Sequence, residues 1–352
     1  MIRKRLNVAV VMAVLLFAIS CTTSIPLEVL RPADIVLDDN IQKIALVDRS
    51  KPSSGFLNVL EGLFSGEGIG EDREGRQKAM MGLTNVLSRT PRFEIIQTGI
   101  TMEGSKGGQR MAMPLPWSEV ERICANSGAD ALVVIESYDS DFFTSTEERE
   151  RKKKDDEGNE TIETYFTSKG NLNVRIGWRI YDPSKRSIID EFTVDAGQNY
   201  SGRGDTSEDA IRDLPKPINV SRDISYSVGQ SYAERIAPVF VLVNRNLFRS
   251  GKKPFKQDMR RAAELAEMNR WERADEIWTS VMESADAKTA GKAAVNLAIS
   301  AEVRGDLQQA VDYVDKAILN YRFTGARKYS DQLNFRLFEE NRAAQQMQNK
   351  KN

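Results

Sequence analysis

The 352-residue sequence contains no histidine. That absence excludes Ser-His-Asp and Cys-His catalysis, histidine metal sites and histidine general-base chemistry together. Carboxylates, lysine and tyrosine remain as groups able to move protons. Cysteine is almost absent too, with Cys21 and Cys124 only. Charge of one sign is not in excess: 50 Lys+Arg against 51 Asp+Glu give a net charge of −1. Such a balance offers no electrostatic ground for a nucleic-acid partner. A long hydrophobic run is missing as well. The stretch Leu6–Ile19 has 14 residues, interrupted by Asn7, whereas a bilayer crossing needs roughly 20.

What is present begins with Arg3, Lys4 and Arg5, a basic patch ahead of that apolar stretch. Basic front, short apolar core and a small residue before a break form the pattern of an export signal. The break, Ala18-Ile19-Ser20-Cys21, resembles a bacterial lipobox, in which a peptidase cuts before a cysteine that is then lipidated. The usual leucine three positions before the cysteine is replaced by Ala18. An ordinary signal peptide cut elsewhere, or an uncleaved anchor, is the competing reading. Cleavage before Cys21 leaves 332 residues and moves the net charge from −1 to −4, because three basic residues go. Cys124 is then the remaining free thiol, so no internal disulfide is expected. The uncharged residues 22–26 resemble the sorting region of outer-membrane lipoproteins. The resemblance implies an outer-membrane lipoprotein facing the periplasm, bound to the membrane through Cys21.

Composition divides the rest of the chain. Upstream of Gly251 alternating apolar segments mix with glycine and proline; downstream the chain is rich in Ala, Glu, Arg and Met. The boundary is expected at 249–255. The expected domains are a signal peptide 1–20, an N-terminal tether 21–40, an α/β domain 41–250 and a helical domain 255–346. Strands are predicted at 42–50, 92–98, 128–138, 165–182 and 187–200. In the fourth, Leu172, Val174, Ile176, Trp178 and Ile180 alternate with polar residues, the pattern of a sheet with one face covered. Helices are predicted at 73–89 and 117–127, the latter opened by Pro116. Residues 224–248 read as one or two helices, kinked or broken at Pro238. The fold class is therefore α+β: a mixed α/β sheet with helices on one face, followed by an all-α domain.

The segments "IQKIALVDRS", "LSRTPRFEIIQ", "ICANSGADALVVIESYD" and "RIYDPSKRSIIDEF" resemble the N-terminal domain of TolB-like proteins, the curli-export lipoprotein and the lipoprotein activator of penicillin-binding proteins. The likeness spans 41–250, and it implies the same sheet. This chain departs from it by an insertion at 141–163 and a glycine-rich loop at 62–75. Further on, 263–284 and 293–321 are similar to each other, with Ala274 and Trp278 matching Ala310 and Val314 at an offset of 36 positions. That resembles the tetratricopeptide period of 34. Ala298, Gly305, Ala310 and Ala317 fall where that repeat takes small residues. The tail 331–346 is expected to cap the array with Leu333, Leu337 and Phe338 facing inward. The whole layout resembles a family of bacterial lipoproteins of unknown function.

No catalytic set emerges. Cys124, beside Val120 and Ile123, reads as core. Gly66, Gly68 and Gly70 alternate without the Lys-Ser/Thr of a phosphate loop, and acidic residues around them repel phosphate. Asp139 and Asp141 form a carboxylate pair with no further ligands nearby in sequence, so no metal and no cofactor are expected. Residues 147–157 hold five basic and six acidic residues and read as a solvated hairpin tip; Arg203-Gly204-Asp205 reads as a turn. By analogy with tetratricopeptide proteins, Arg260, Glu267, Asn296 and Glu302 are expected to line a groove for a protein partner. The expected role is a non-enzymatic, lipid-anchored scaffold or adaptor. The alternatives are a subunit of an oligomeric secretion or pore assembly, and a carboxylate-dependent enzyme.

Overall fold

A computed structural model describes residues 22–51, 71–90, 92–105, 110–154, 158 and 160–348. Cys21 and the glycines at 66, 68 and 70 lie outside them. Along the described chain run β1 (Thr22–Arg31), β2 (Lys43–Lys51), α1 (Glu71–Leu87), β3 (Glu94–Glu103), α2 (Trp117–Ser127), β4 (Ala131–Lys154), β5 (Glu160–Asp182) and β6 (Ser187–Gly204). Then follow α3 (Ser207–Arg212), α4 (Pro217–Ile236), β7 (Val239–Phe248), α5 (Lys256–Glu267), α6 (Trp271–Ser284), α7 (Ala287–Val303), α8 (Leu307–Asp315) and α9 (Arg327–Gln348). The class is mixed α/β with a C-terminal helical region, as the periodicity implies. No helix among the described residues is long and apolar enough to cross a membrane.

The chain divides into two compact units. One holds Pro32–Val239 together with the chain from Gln345 onward; the other joins Thr22–Arg31 to Phe240–Ala344.

In the first unit a five-stranded sheet has the order β3-β2-β4-β5-β6. β2 runs parallel to β3 and β4, while β4, β5 and β6 form an antiparallel meander. The apolar run Ile44–Val47 suits a strand covered on both faces, and all four residues are buried. Alternation sends Ala45, Val47, Leu132, Val134 and Tyr181 to one face, where Val120, Ile123 and Cys124 of α2 meet them. The opposite face carries Trp178, whose ring stacks on Tyr232 of α4 at 4.6 Å and 12°. Helices therefore cover both faces and not one. The short αβ connection forces this: Pro116 starts α2, Gly128 ends it in the left-handed region at φ 70°, and parallel β3–α2–β4 must cross on the side opposite to β2–α1–β3.

α1 and α4 lie close enough that neither tolerates a side chain at their crossing. A Cβ on Gly82 would come within 2.0 Å of the Tyr226 carbonyl oxygen, and one on Gly229 within 1.9 Å of that of Ala79. Pro217 stands at the start of α4, and the helix stops at Ile236, two residues before Pro238. The expected helix over 224–248 is thus half right: Pro238 ends it, and Val239–Phe248 is a strand.

The expected insertion at 141–163 is no separate loop. It prolongs β4 and β5, which pair without interruption from Ser137–Gly177 to Lys154–Glu160. At roughly 3.4 Å per residue each strand is on the order of 80 Å long. Cross-strand pairs such as Arg151–Glu163 (2.5 Å) and Lys152–Glu160 (3.1 Å) decorate the exposed ribbon; each contributes little in water, about 0–1 kcal/mol.

In the second unit β1 pairs with β7. The expected tether at 21–40 is therefore largely a strand, with Ile25 sharing a core with Leu247, Met259, Trp278 and Leu297. Successive helices pack on one another from α5 to α8. Asn269 (φ 57°) and Gly305 (φ 82°), thirty-six positions apart, each take the left-handed turn that ends the first helix of a pair. Asp286 and Asp306 cap α7 and α8 by accepting the Thr289 and Gln309 amides. In α9, Leu333 is buried and Leu337 packs on the same core, but Phe338 is 58% exposed, so the third expected inward residue points outward.

Candidate functional site

A cavity of about 410 Å³ lies between α1 and strands β2 and β3 in the first unit. A bulge in edge strand β3 makes it. Leu46 pairs with Gln97 and Asp48 with Thr101, so one residue of β2 lies opposite three of β3. Gly99 takes the left-handed conformation at φ 66°, which glycine alone adopts freely. Thr98 replaces the lost ladder bond by donating its hydroxyl to the Leu46 carbonyl at 2.6 Å, and accepts the Ile100 amide at 3.1 Å. Thr84 donates to the Met80 carbonyl at 2.8 Å.

The floor of the cleft is apolar, from Leu46 and Met80; Met81 stands at its mouth, 55% exposed. One end is charged. Asp48 Oδ1 accepts from the Ser50 amide and hydroxyl at 2.9 and 2.6 Å. Its Oδ2 faces Arg76 Nε at 3.6 Å, an ion pair too long for a hydrogen bond. Arg76 is buried, and its Nε has no hydrogen-bond partner among the described residues. Asp72, one turn earlier on the same helix, accepts from Ser140 Oγ at 2.8 Å, and burial pushes its carboxyl above the ordinary range against the pull of Ser140 and Arg76.

Near the amino end of β4 a second charged group is fully engaged. Buried Glu136 accepts from Arg49 Nη1 at 3.0 Å and from the Tyr181 hydroxyl, with Arg179 Nη1 at 3.5 Å. Arg49 and Arg179 also donate to the carbonyls of Met113 and Ala112. Burial, followed by the bond to Glu136, pushes the Tyr181 phenol up to about 12. With its charges paired and its donors spent on the 110–115 segment, this cluster pins a loop.

Of the expected groove residues, Asn296 and Glu302 are buried and do not line an open surface. Asn296 bridges the backbone of Phe248, and Glu302 binds Arg245, Tyr329 and Arg336. Arg260 and Glu267 stay at the surface in one ionic cluster. Arg260 reaches Glu264 at 3.1 Å, and Arg249 reaches Glu264 at 3.0 Å and Glu267 at 3.5 Å. Helical spacing alone cannot say which polar residue of α7 meets β7.

Cys124 is buried, and burial, then the charges of Asp130 and Asp182, pushes its thiol up to about 11. Asp139 is pushed up to about 6, first by burial and then by Asp141 and Asp72. No group of three or more His, Cys, Asp or Glu among the described residues is arranged to hold a metal ion. Asp48 and Arg76 are the site residues the sequence reading missed. The available signal was an acidic residue near the carboxyl end of the strand predicted at 42–50, where α/β sheets place their ligands.

Residues 260–340 match the family described as "Domain of unknown function (DUF6340)". No curated protein matches. Among solved structures, a neuraminyllactose-binding hemagglutinin homolog from Helicobacter pylori is similar at 14% identity and TM-score 0.25, covering 57% of this chain and 91% of that one. A PelC dodecamer from Paraburkholderia phytofirmans is similar at 12% identity and TM-score 0.22, covering 60% and 100%. Residues 41–248, more than half of the chain, match "Domain of unknown function (DUF8603)", and the chain belongs to that family.

Proposed function

We propose that this chain is a lipid-anchored outer-membrane lipoprotein facing the periplasm, acting without catalysis as a scaffold or adaptor that holds a protein partner at the membrane. The observation that carries the reading is Ala18-Ile19-Ser20-Cys21 behind a basic patch and a 14-residue apolar run. Acyl chains on Cys21 supply the anchoring: each buried methylene contributes about 0.8 kcal/mol, and two or more chains hold where one does not. Strand β1 starts at the very next residue. An acylated Cys21 would therefore bring a folded strand, and not a loose tether, to the bilayer. The tetratricopeptide-like helix pairs supply the surface for the partner, with the Arg249, Arg260, Glu264 and Glu267 cluster on their outside.

Metabolic labelling with a fatty-acid analogue tests the anchor. Label and membrane sedimentation are expected for the native chain and lost in Cys21→Ala; a variant that still sediments overturns it. Crosslinking in cells followed by detergent extraction tests the adaptor role, which fails if no protein is recovered with the chain.

One observation favours a second reading, a subunit of an oligomeric secretion or pore assembly. The β4–β5 ribbon continues as two exposed strands through Lys154 and Glu160, an arm with free edges for a neighbouring copy. Native mass measurement distinguishes a ring from a monomer.

A further inference from the structure

We infer that the cleft between α1 and β2–β3 is a binding site for a free α-amino acid with a medium-sized aliphatic side chain. Its volume, about 410 Å³, falls in the range of small-molecule sites, about 300–1,000 Å³. Its charged end holds one residue of each sign, Asp48 and Arg76, turned toward each other but 3.6 Å apart. Arg76 is buried with an unused Nε–H, and an unmet buried donor is costly.

The pair selects against ligands of one charge. A simple anion drawn to Arg76 meets the Asp48 carboxylate, and a simple cation drawn to Asp48 meets the guanidinium. A net-neutral ligand with both signs carried on one carbon satisfies both. Its carboxylate accepts from Arg76, its ammonium donates to Asp48 Oδ2, and both new bonds are charge-assisted. Asp48 Oδ1 stays fixed by Ser50, which holds Oδ2 in place. The α-carbon of an amino acid carries those two groups side by side. Its side chain then lies on Leu46 and Met80 and passes under Met81. Asp72, one helical turn before Arg76, also feels the guanidinium charge, but its Oδ1 is occupied by the Ser140 hydroxyl at 2.8 Å.

Isothermal titration calorimetry of the full chain in detergent, with L-leucine as the probe, tests this. A Kd of about 1 mM or tighter is expected. Isopentylamine and 4-methylpentanoate each keep the side chain and lose one charge. Each is expected to bind at least about tenfold more weakly, as is leucine to Arg76→Gln. Met81→Lys changes an exposed residue at the mouth and leaves the core alone. It too is expected to weaken leucine binding about tenfold or more, so the test stands even if Arg76→Gln fails to fold. Absence of heat with leucine, equal binding of either half-ligand, or unchanged binding by Met81→Lys overturns the assignment. Binding of Leu-Leu in place of leucine overturns it in favour of peptide ends.

Discussion

Asn296 makes two hydrogen bonds to the backbone of Phe248: its Oδ1 accepts the amide at 2.8 Å and its Nδ2 donates to the carbonyl at 2.8 Å. The side-chain amide of a helix thus completes the end of strand β7 as another strand would. Asn296→Asp keeps the acceptor and removes the donor. Its cost at neutral pH is expected to be about 1–3 kcal/mol, measured by urea unfolding. Acidification should return part of it, because a protonated carboxyl donates again. A cost that does not depend on pH counts against this account.

Glu302 collects Arg245 Nε and Nη2 at 2.7 and 2.8 Å, the Tyr329 hydroxyl at 2.7 Å and Arg336 Nη1. Burial alone would raise its pKa, but the donors outweigh burial and hold it below the ordinary value. Glu302→Gln leaves two half-buried guanidiniums short of a counter-charge and is expected to cost about 3–5 kcal/mol. Tyr329→Phe removes one charged hydrogen bond and is expected to cost about 1.5–3 kcal/mol. The two should couple in a double-mutant cycle by thermal unfolding; strict additivity would contradict the shared carboxylate.

Gly229→Ala places a methyl 1.9 Å from the Ala79 carbonyl oxygen, where backbone has to move. Intrinsic helix propensity favours alanine by roughly 1 kcal/mol, so an exposed glycine would gain stability from the change. Here a loss of about 1–3 kcal/mol is expected from overpacking. A higher melting temperature would show that α1 and α4 are not so close.

Asp139 should make stability fall as pH rises. Its carboxyl is pushed up to about 6 in the folded chain, against 3.8 for the ordinary group. Between these values the folded state binds more protons than the unfolded one, so its contribution is fully present below about pH 4 and lost as pH passes about 6. The difference in unfolding free energy between Asp139→Asn and the native chain is expected to increase across that window, in favour of the variant. A difference that stays flat with pH rules out the shift.

Cys124 is expected to resist thiol reagents in the folded protein. With its thiol pushed up to about 11, only about one molecule in a thousand is thiolate at pH 8. In Cys21→Ala, titration with a disulfide reagent should show no fast-reacting thiol until denaturant is added. Rapid reaction of the folded Cys21→Ala chain would place Cys124 at the surface.

Much of the architecture is legible in local pattern. The Ile44–Val47 run, the alternation from Leu172 to Ile180, and Pro116 and Gly128 around α2 each reflect a rule that acts within a few residues; the 36-residue offset in the helices is a repeat of one such local unit. The site is not legible in the same way. Asp48 and Arg76 stand 28 positions apart, with a helix start between them. The cleft exists because β3 bulges at Gly99, a choice set by pairing with β2. The same applies to Glu136: the register slips between Ile135 and Ser137, and Tyr138 then turns toward Ser225 at 2.8 Å.

Periodicity, proline and glycine settle where helices and strands lie, because backbone preference and one-sided burial are properties of short stretches. Which strands pair, and which polar side chains go inside, are properties of residues brought together from far apart. Thr22–Arg31 becomes a strand only because Val239–Phe248 accepts it. Asn296 and Glu302 turn inward only because Phe248 and Arg245 bring groups that a buried amide and a buried carboxylate require.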